Sequence, residues 1–122
     1  MFSSYRSLLK HMRAIEFRDG ENVSVELAKL KLLIRYILER EPFDEDWYVR
    51  TYPDVEKALR DGVLESAKAH YVETGYFEGR LPGLGEFEVK KYVEKNPDLA
   101  KMTSDEALRH FIYTGYSEGR PY

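Results

Sequence analysis

Cysteine is absent from the chain. That excludes a disulfide framework, a thiol nucleophile and a cysteine-based zinc site. Positive charge is not in excess either. Nineteen Lys and Arg residues face 22 Asp and Glu, for a formal net charge of −3. Such a balance supplies no electrostatic footprint for nucleic acid or for an anionic membrane. Long hydrophobic runs are also missing: the most apolar stretch, LAKLKLLIRYIL at 27–38, carries Lys29, Lys31 and Arg35 and is too short to span a bilayer. The opening MFSSYRSLLKHMR has no apolar core ahead of a small-residue cleavage signal, so a secretory leader is not expected. A cytoplasmic protein is the expectation, with export by a route lacking a cleaved leader left open. No glycine-rich phosphate loop, Gly-x-Ser-x-Gly elbow or His-Glu-x-x-His helix occurs, and no carboxylate pair sits in an apolar setting that would split its pKa values. Neither an enzyme nor a cofactor or metal site is expected.

What is present describes a folded chain. Of its 122 residues 43% are hydrophobic and 34% charged, enough for one domain or for two small units sharing a core. The most informative feature is an internal duplication. HYVETGYFEGR at 70–80 and HFIYTGYSEGR at 110–120 agree at His, Thr, Gly, Tyr, Glu, Gly and Arg. Upstream, Phe43-Asp44-Glu45-Asp46-Trp47-Tyr48-Val49 aligns with Phe87-Glu88-Val89-Lys90-Lys91-Tyr92-Val93, and Tyr52-Pro53-Asp54-Val55 with Asn96-Pro97-Asp98-Leu99. The second copy is shorter between its Pro-Asp and His elements, where a surface turn tolerates deletion. The chain therefore divides into an N-terminal segment (1–42), repeat A (43–83) and repeat B (84–122), with the Gly/Pro-rich LPGLGE between the copies.

Each repeat reads as short helices. Asp44 is placed to cap the first, with Phe43 and Tyr48 as a hydrophobic staple. Phe87 and Tyr92 recreate that staple behind Glu88, a poorer cap. Pro53 and Pro97 interrupt this helix and start a second, which Asp61-Gly62 stops in repeat A. In repeat B, Thr103-x-x-Glu106 forms a capping box for a third helix, with Ala107, Leu108, Phe111 and Ile112 along one face. Gly75 and Gly115 are expected at the left-handed position that ends this helix. Before the repeats, Tyr5, Leu8, Leu9, Met12 and Ile15 suit an amphipathic helix, and Ser24 or Asn22 can cap a longer one reaching about Arg40. Over 13–26 the alternative is a small β-hairpin around Asp19-Gly20. The expected architecture is all-α: an N-terminal helical hairpin followed by two tandem repeats of short helices.

The duplicated polar residues admit two readings. His70 and His110 lack further ligands at helical spacing, where Thr74 and Thr114 stand instead, so a packed histidine fixing a helix end is favoured over a metal ligand. His11 has no such context. Glu78-Gly79-Arg80 and Glu118-Gly119-Arg120 place an arginine fit for a carboxylate or phosphate ligand. The duplicated Asp54 and Asp98 offer internal partners, and the structural reading is again favoured. Tyr76 and Tyr116, also duplicated, read as packing residues. Helix 24–40 is apolar on more than one face, which calls for burial under the repeats or against another chain. Leu30, Leu33, Ile34 and Ile37 are thus candidate partner contacts. Trp47, which becomes Lys91 in repeat B, joins them with Tyr52. As an alternative, Trp47, Tyr48, Tyr52, Tyr76, Tyr113, Tyr116 and Tyr122 include flat faces for stacking on sugar rings.

The string F-D-x-x-W/Y-Y-V/L…Y/N-P-D-V/L…H-Y/F-x-x-x-G-x-x-E-G-R is carried by Phe43, Asp44, Tyr48, Pro53, Asp54, His70, Tyr71, Gly75, Glu78, Gly79 and Arg80. It resembles a bacterial helical repeat that occurs beside or within glycosyltransferases of surface-polysaccharide assembly and in large bacterial surface and secreted proteins. The resemblance covers 43–120, departs at Glu88 and Phe111, and leaves 1–42 outside. It carries over no catalytic residue. What it implies is a non-catalytic adaptor, scaffold or regulatory subunit accessory to exopolysaccharide machinery. Its expected partner is a protein such as a glycosyltransferase or polysaccharide synthase component. Homo-oligomerisation and carbohydrate binding are alternatives.

Overall fold

A computed structural model describes residues 3–7 and 25–122. The choice between helix and hairpin over 13–26, the amphipathic positions Leu8 to Ile15, His11, and the caps Asn22 and Ser24 lie outside the described residues. Among those described, every regular element is helical and there is no strand, so the all-α expectation holds. No helix among them is long and apolar enough to cross a membrane.

Helix α1 spans Leu27–Leu38 and starts behind Glu26 without a side-chain cap. It is shorter at both ends than the expected 24–40. Its core-facing residues are Ile34 and Leu38, one helical turn apart. Helix α2, Glu45–Thr51, opens where the Asp44 carboxylate accepts the Trp47 N–H at 3.0 Å. The Phe43 and Tyr48 rings meet with centroids 5.1 Å apart, which is the staple contact. Tyr52 then leaves helical geometry before Pro53, the first residue of α3 (Pro53–Arg60). Gly62, at φ 69°, turns the chain away after Asp61. Helix α4, Ala67–His70, is capped by Ser66, whose hydroxyl accepts the Ala69 N–H at 3.0 Å, and runs without a break into a π-helical turn at Tyr71–Gly75.

The second copy repeats this course with shorter parts. Helix α5, Val89–Lys95, has no side-chain cap at Glu88. The expected second helix closes as a 3₁₀ turn, Pro97–Leu99, because the deletion leaves too little chain for the two turns α3 makes. Helix α6, Ser104–His110, carries the full capping box between Thr103 and Glu106. It continues into a second π turn, Phe111–Gly115, and a last short helix α7, Tyr116–Glu118.

The structure corrects one expectation in both copies. Gly75 and Gly115 do not end their helices in the left-handed region; Gly115 lies at φ −62° and ψ −42°. The left-handed residues are Gly79 at φ 84° and Gly119 at φ 71°, four positions later. There the Arg80 N–H donates to the Gly75 carbonyl and the Gly79 N–H to the Tyr76 carbonyl, a pattern repeated by Arg120 to Gly115 and Gly119 to Tyr116. This is the Schellman arrangement of a helix end. Extending the helix past Gly75 places Tyr76 and Tyr116 in the core, at 0% and 3% exposure.

Two apolar clusters form the core. One gathers Ile34, Leu38, Tyr48, Tyr52, Val55, Tyr71, Val72 and Tyr76; the other gathers Leu81, Tyr92, Leu99, Phe111 and Tyr116. Trp47 packs against both. Residues 3–7 lie across the ends of the two copies. The Tyr76 hydroxyl donates to the Ser3 carbonyl at 2.7 Å, the Tyr5 ring meets Phe77 edge-on, and the Ser4 hydroxyl reaches the Ser117 carbonyl.

Candidate functional site

The duplicated histidines are held from within. Tyr48 Oη lies 3.0 Å from His70 Nδ1, and Tyr92 Oη 2.8 Å from His110 Nδ1. Both tyrosine rings are fully buried. Burial pushes the Tyr48 hydroxyl far above its ordinary range and raises that of Tyr92, so each phenol stays protonated. Burial, with the Arg80 charge as a second cause, lowers the His70 pKa. That holds the ring toward its neutral form.

The same hydroxyls explain Gly75 and Gly115. A Cβ on Gly75 would stand 2.2 Å from Tyr48 Oη, and one on Gly115 would stand 1.9 Å from Tyr92 Oη. Glycine is required here for close approach, not for backbone handedness. In each copy the tyrosine hydroxyl thus sits between an imidazole nitrogen and the flank of a π turn, a local widening of the helix.

The arginines are also engaged. Arg80 grips Asp54 with both terminal nitrogens, at 2.9 and 2.6 Å, and its Nε meets Glu78 at 3.1 Å. Its guanidinium lies 4.9 Å from the Tyr52 ring centroid. Arg120 bonds Asp98 at 2.7 Å and Glu118 at 2.9 Å. These bonds hold the Asp54, Asp98 and Glu118 carboxyls below their ordinary range, which makes them poor proton donors. An anionic ligand would have to displace a paired carboxylate to reach either arginine.

The candidate contact residues fall into different environments. Ile34 and Tyr52 are buried, at 2% and 7% exposure, and are withdrawn as contact residues in this fold. Tyr52 uses its hydroxyl to accept the Leu81 N–H at 3.0 Å, and burial pushes that hydroxyl up to about 12. Leu30 and Ile37 are half-buried. Leu33 is exposed, together with Leu32 and Tyr36, two residues that sequence reasoning did not single out. Trp47 is half-buried, packs edge-on against Tyr52 and touches both clusters. Of the proposed sugar platforms, Tyr48, Tyr52, Tyr76 and Tyr116 are buried, whereas Tyr113 and Tyr122 are exposed.

Between the copies lies a groove of about 1070 Å³. The linker helps build it: the Asp44 N–H donates to the Pro82 carbonyl at 2.9 Å. Its apolar surface includes the staple residues Phe43 and Phe87, with Tyr122 beside them. Glu41, Glu45, Asp46 and Glu86 stand around it. No local sequence signal marks this groove, because its walls come from equivalent positions of two copies and meet only in the folded chain. Among the described residues no group of three His, Asp or Glu side chains is arranged to hold a metal ion. Comparison with family models, curated proteins and solved structures gives no match to this chain.

Proposed function

We propose that this chain is a non-catalytic protein-interaction module, an adaptor or regulatory subunit accessory to bacterial exopolysaccharide or other cell-surface glycan machinery, acting in the cytoplasm. The glycan connection rests on the resemblance of the duplicated string. The non-catalytic reading is supported by the use of His70, His110, Arg80 and Arg120 as internal fastenings.

The observation that carries the interaction reading is the outer face of α1. Leu32, Leu33 and Tyr36 are 66%, 58% and 59% exposed, on the side opposite Ile34 and Leu38. Adjacent exposed apolar side chains of this size favour association, because burial removes their surface from water. The partner in this reading is a glycosyltransferase or polysaccharide synthase component, with a second copy of the chain as the other occupant. The test is co-purification from the native host with tagged wild type and with a Leu32→Glu/Leu33→Glu variant. A glycan-assembly protein held by the wild type and lost from an equally stable variant is the expected result. Equal retention by both would overturn the assignment of this face.

Carbohydrate binding is the second reading, favoured by exposed Tyr113 and by Tyr122 beside the groove. Oligosaccharide titration followed by calorimetry distinguishes it: binding heat that disappears in Tyr113→Ala or Tyr122→Ala supports it, and no heat removes it.

A further inference from the structure

The groove between the copies has a chemical character of its own. Phe43 and Phe87 are each half-buried, so each keeps ring surface turned to the opening. Around them Glu41, Glu45, Asp46 and Glu86 make no ion pair with a cation among the described residues. Two lysines share the groove wall: Lys91 bonds Glu88 at 2.6 Å, and Lys95 bonds the Tyr122 main-chain oxygen at 2.7 Å. The result is aromatic surface bordered by carboxylates that outnumber the lysines beside them.

That combination selects a particular ligand. A lysine or arginine side chain lays its aliphatic stem along an aromatic ring and carries its charge to a carboxylate at the rim. An anionic group would be repelled, and a neutral sugar would leave the charges unmatched. The volume lies just above the range of ordinary ligand pockets, which suits a short stretch of extended chain better than a single small ion. We infer that the groove between the two copies binds a cationic segment of a partner protein, one in which lysines or arginines alternate with apolar residues. This rests on the interaction-module reading and gives it a second surface, distinct from α1.

The experiment is fluorescence anisotropy with two labelled nine-residue probes, one alternating lysine with leucine and one alternating glutamate with leucine, at low salt. Wild type is expected to bind the lysine probe and not the glutamate probe. The Glu45→Gln/Asp46→Asn/Glu86→Gln variant should lose at least about tenfold in affinity while still melting cooperatively, since close charge pairs set much of such an interface and the two first-turn charges of α2 contribute only modestly to its stability. A Glu45→Lys/Glu86→Lys variant should reverse the preference toward the glutamate probe. Equal binding of the lysine probe by wild type and the triple variant overturns the inference, as does failure of wild type to bind it. Loss of lysine-probe binding only in the Leu32→Glu/Leu33→Glu variant also overturns the groove but leaves an interaction module intact. The interaction reading stands or falls separately, on partner retention by that α1 variant.

Discussion

The two copies solve one packing problem with different side chains. In repeat A the segment after the arginine is fastened by the Tyr52 hydroxyl, which accepts the Leu81 N–H. In repeat B the equivalent residues are Asn96 and Pro121, and proline has no N–H to give. There Asn96 Nδ2 donates instead to the carbonyls of Tyr92 and Pro121, both at 2.8 Å. Tyr71 of the first copy, tilted against Phe43, becomes Phe111, stacked on Phe87 with centroids 4.0 Å apart and planes within 7°. Through these changes the Tyr–His bond, the close-approach glycine, the π turn and the Schellman end persist. What stays constant identifies the geometrical requirement of the unit, and what varies shows which contacts have substitutes.

Breaking the shared element should cost most. Gly75→Ala forces a methyl group into the Tyr48 hydroxyl, and overpacking of this kind costs on the order of 3 kcal/mol. Gly115→Ala should cost more, because its methyl would also stand 2.9 Å from Tyr92 Cζ, where the matching distance at Gly75 is 3.4 Å. Urea unfolding of the two variants checks both the size and the order.

The arginines come next. Arg80→Ala removes a two-pronged bond to Asp54 and a contact over Tyr52. The pair is partly open to water, so the expected loss is about 1–2 kcal/mol. Arg120 makes one bond to Asp98 and is more exposed, so Arg120→Ala should lower the melting temperature less. Equal losses in thermal melts would show that the second prong and the Tyr52 contact add nothing.

The smallest effect separates the two helix starts. Asp44→Ala removes a cap and should cost about 1 kcal/mol. Glu88→Ala removes no cap bond and should stay within about 0.5 kcal/mol of wild type. Chemical denaturation of the pair resolves that difference.

Local chemistry made much of the fold legible. Asp44, Pro53, Gly62 and the Thr103–Glu106 box each specify a boundary through their own backbone preferences, and the structure uses all four. The helix end at Gly79 was less accessible. Two glycines four residues apart can each terminate a helix, and the choice depends on whether Tyr76 has a core to enter. The α1 surface was hidden for a similar reason: with leucines on several faces, only the position of the repeats decides that Ile34 turns inward and Leu33 outward. Trp47 and Tyr52 read as surface aromatics because the duplication does not preserve them, yet their burial depends on the junction between copies. The groove was beyond sequence reasoning altogether, since its walls lie in both copies.

The most direct measurement is a double-mutant cycle on Gly75 and Tyr48. If Gly75 is present to admit the tyrosine hydroxyl, Tyr48→Phe should cost only about 1 kcal/mol for the lost bond to His70. It should also remove most of the damage from Gly75→Ala, because the next contact of the added methyl is an ordinary 3.4 Å. The double variant should therefore be more stable than Gly75→Ala alone in urea unfolding. Additive losses, with the double variant the least stable of the set, would contradict the close-approach role of the duplicated glycine.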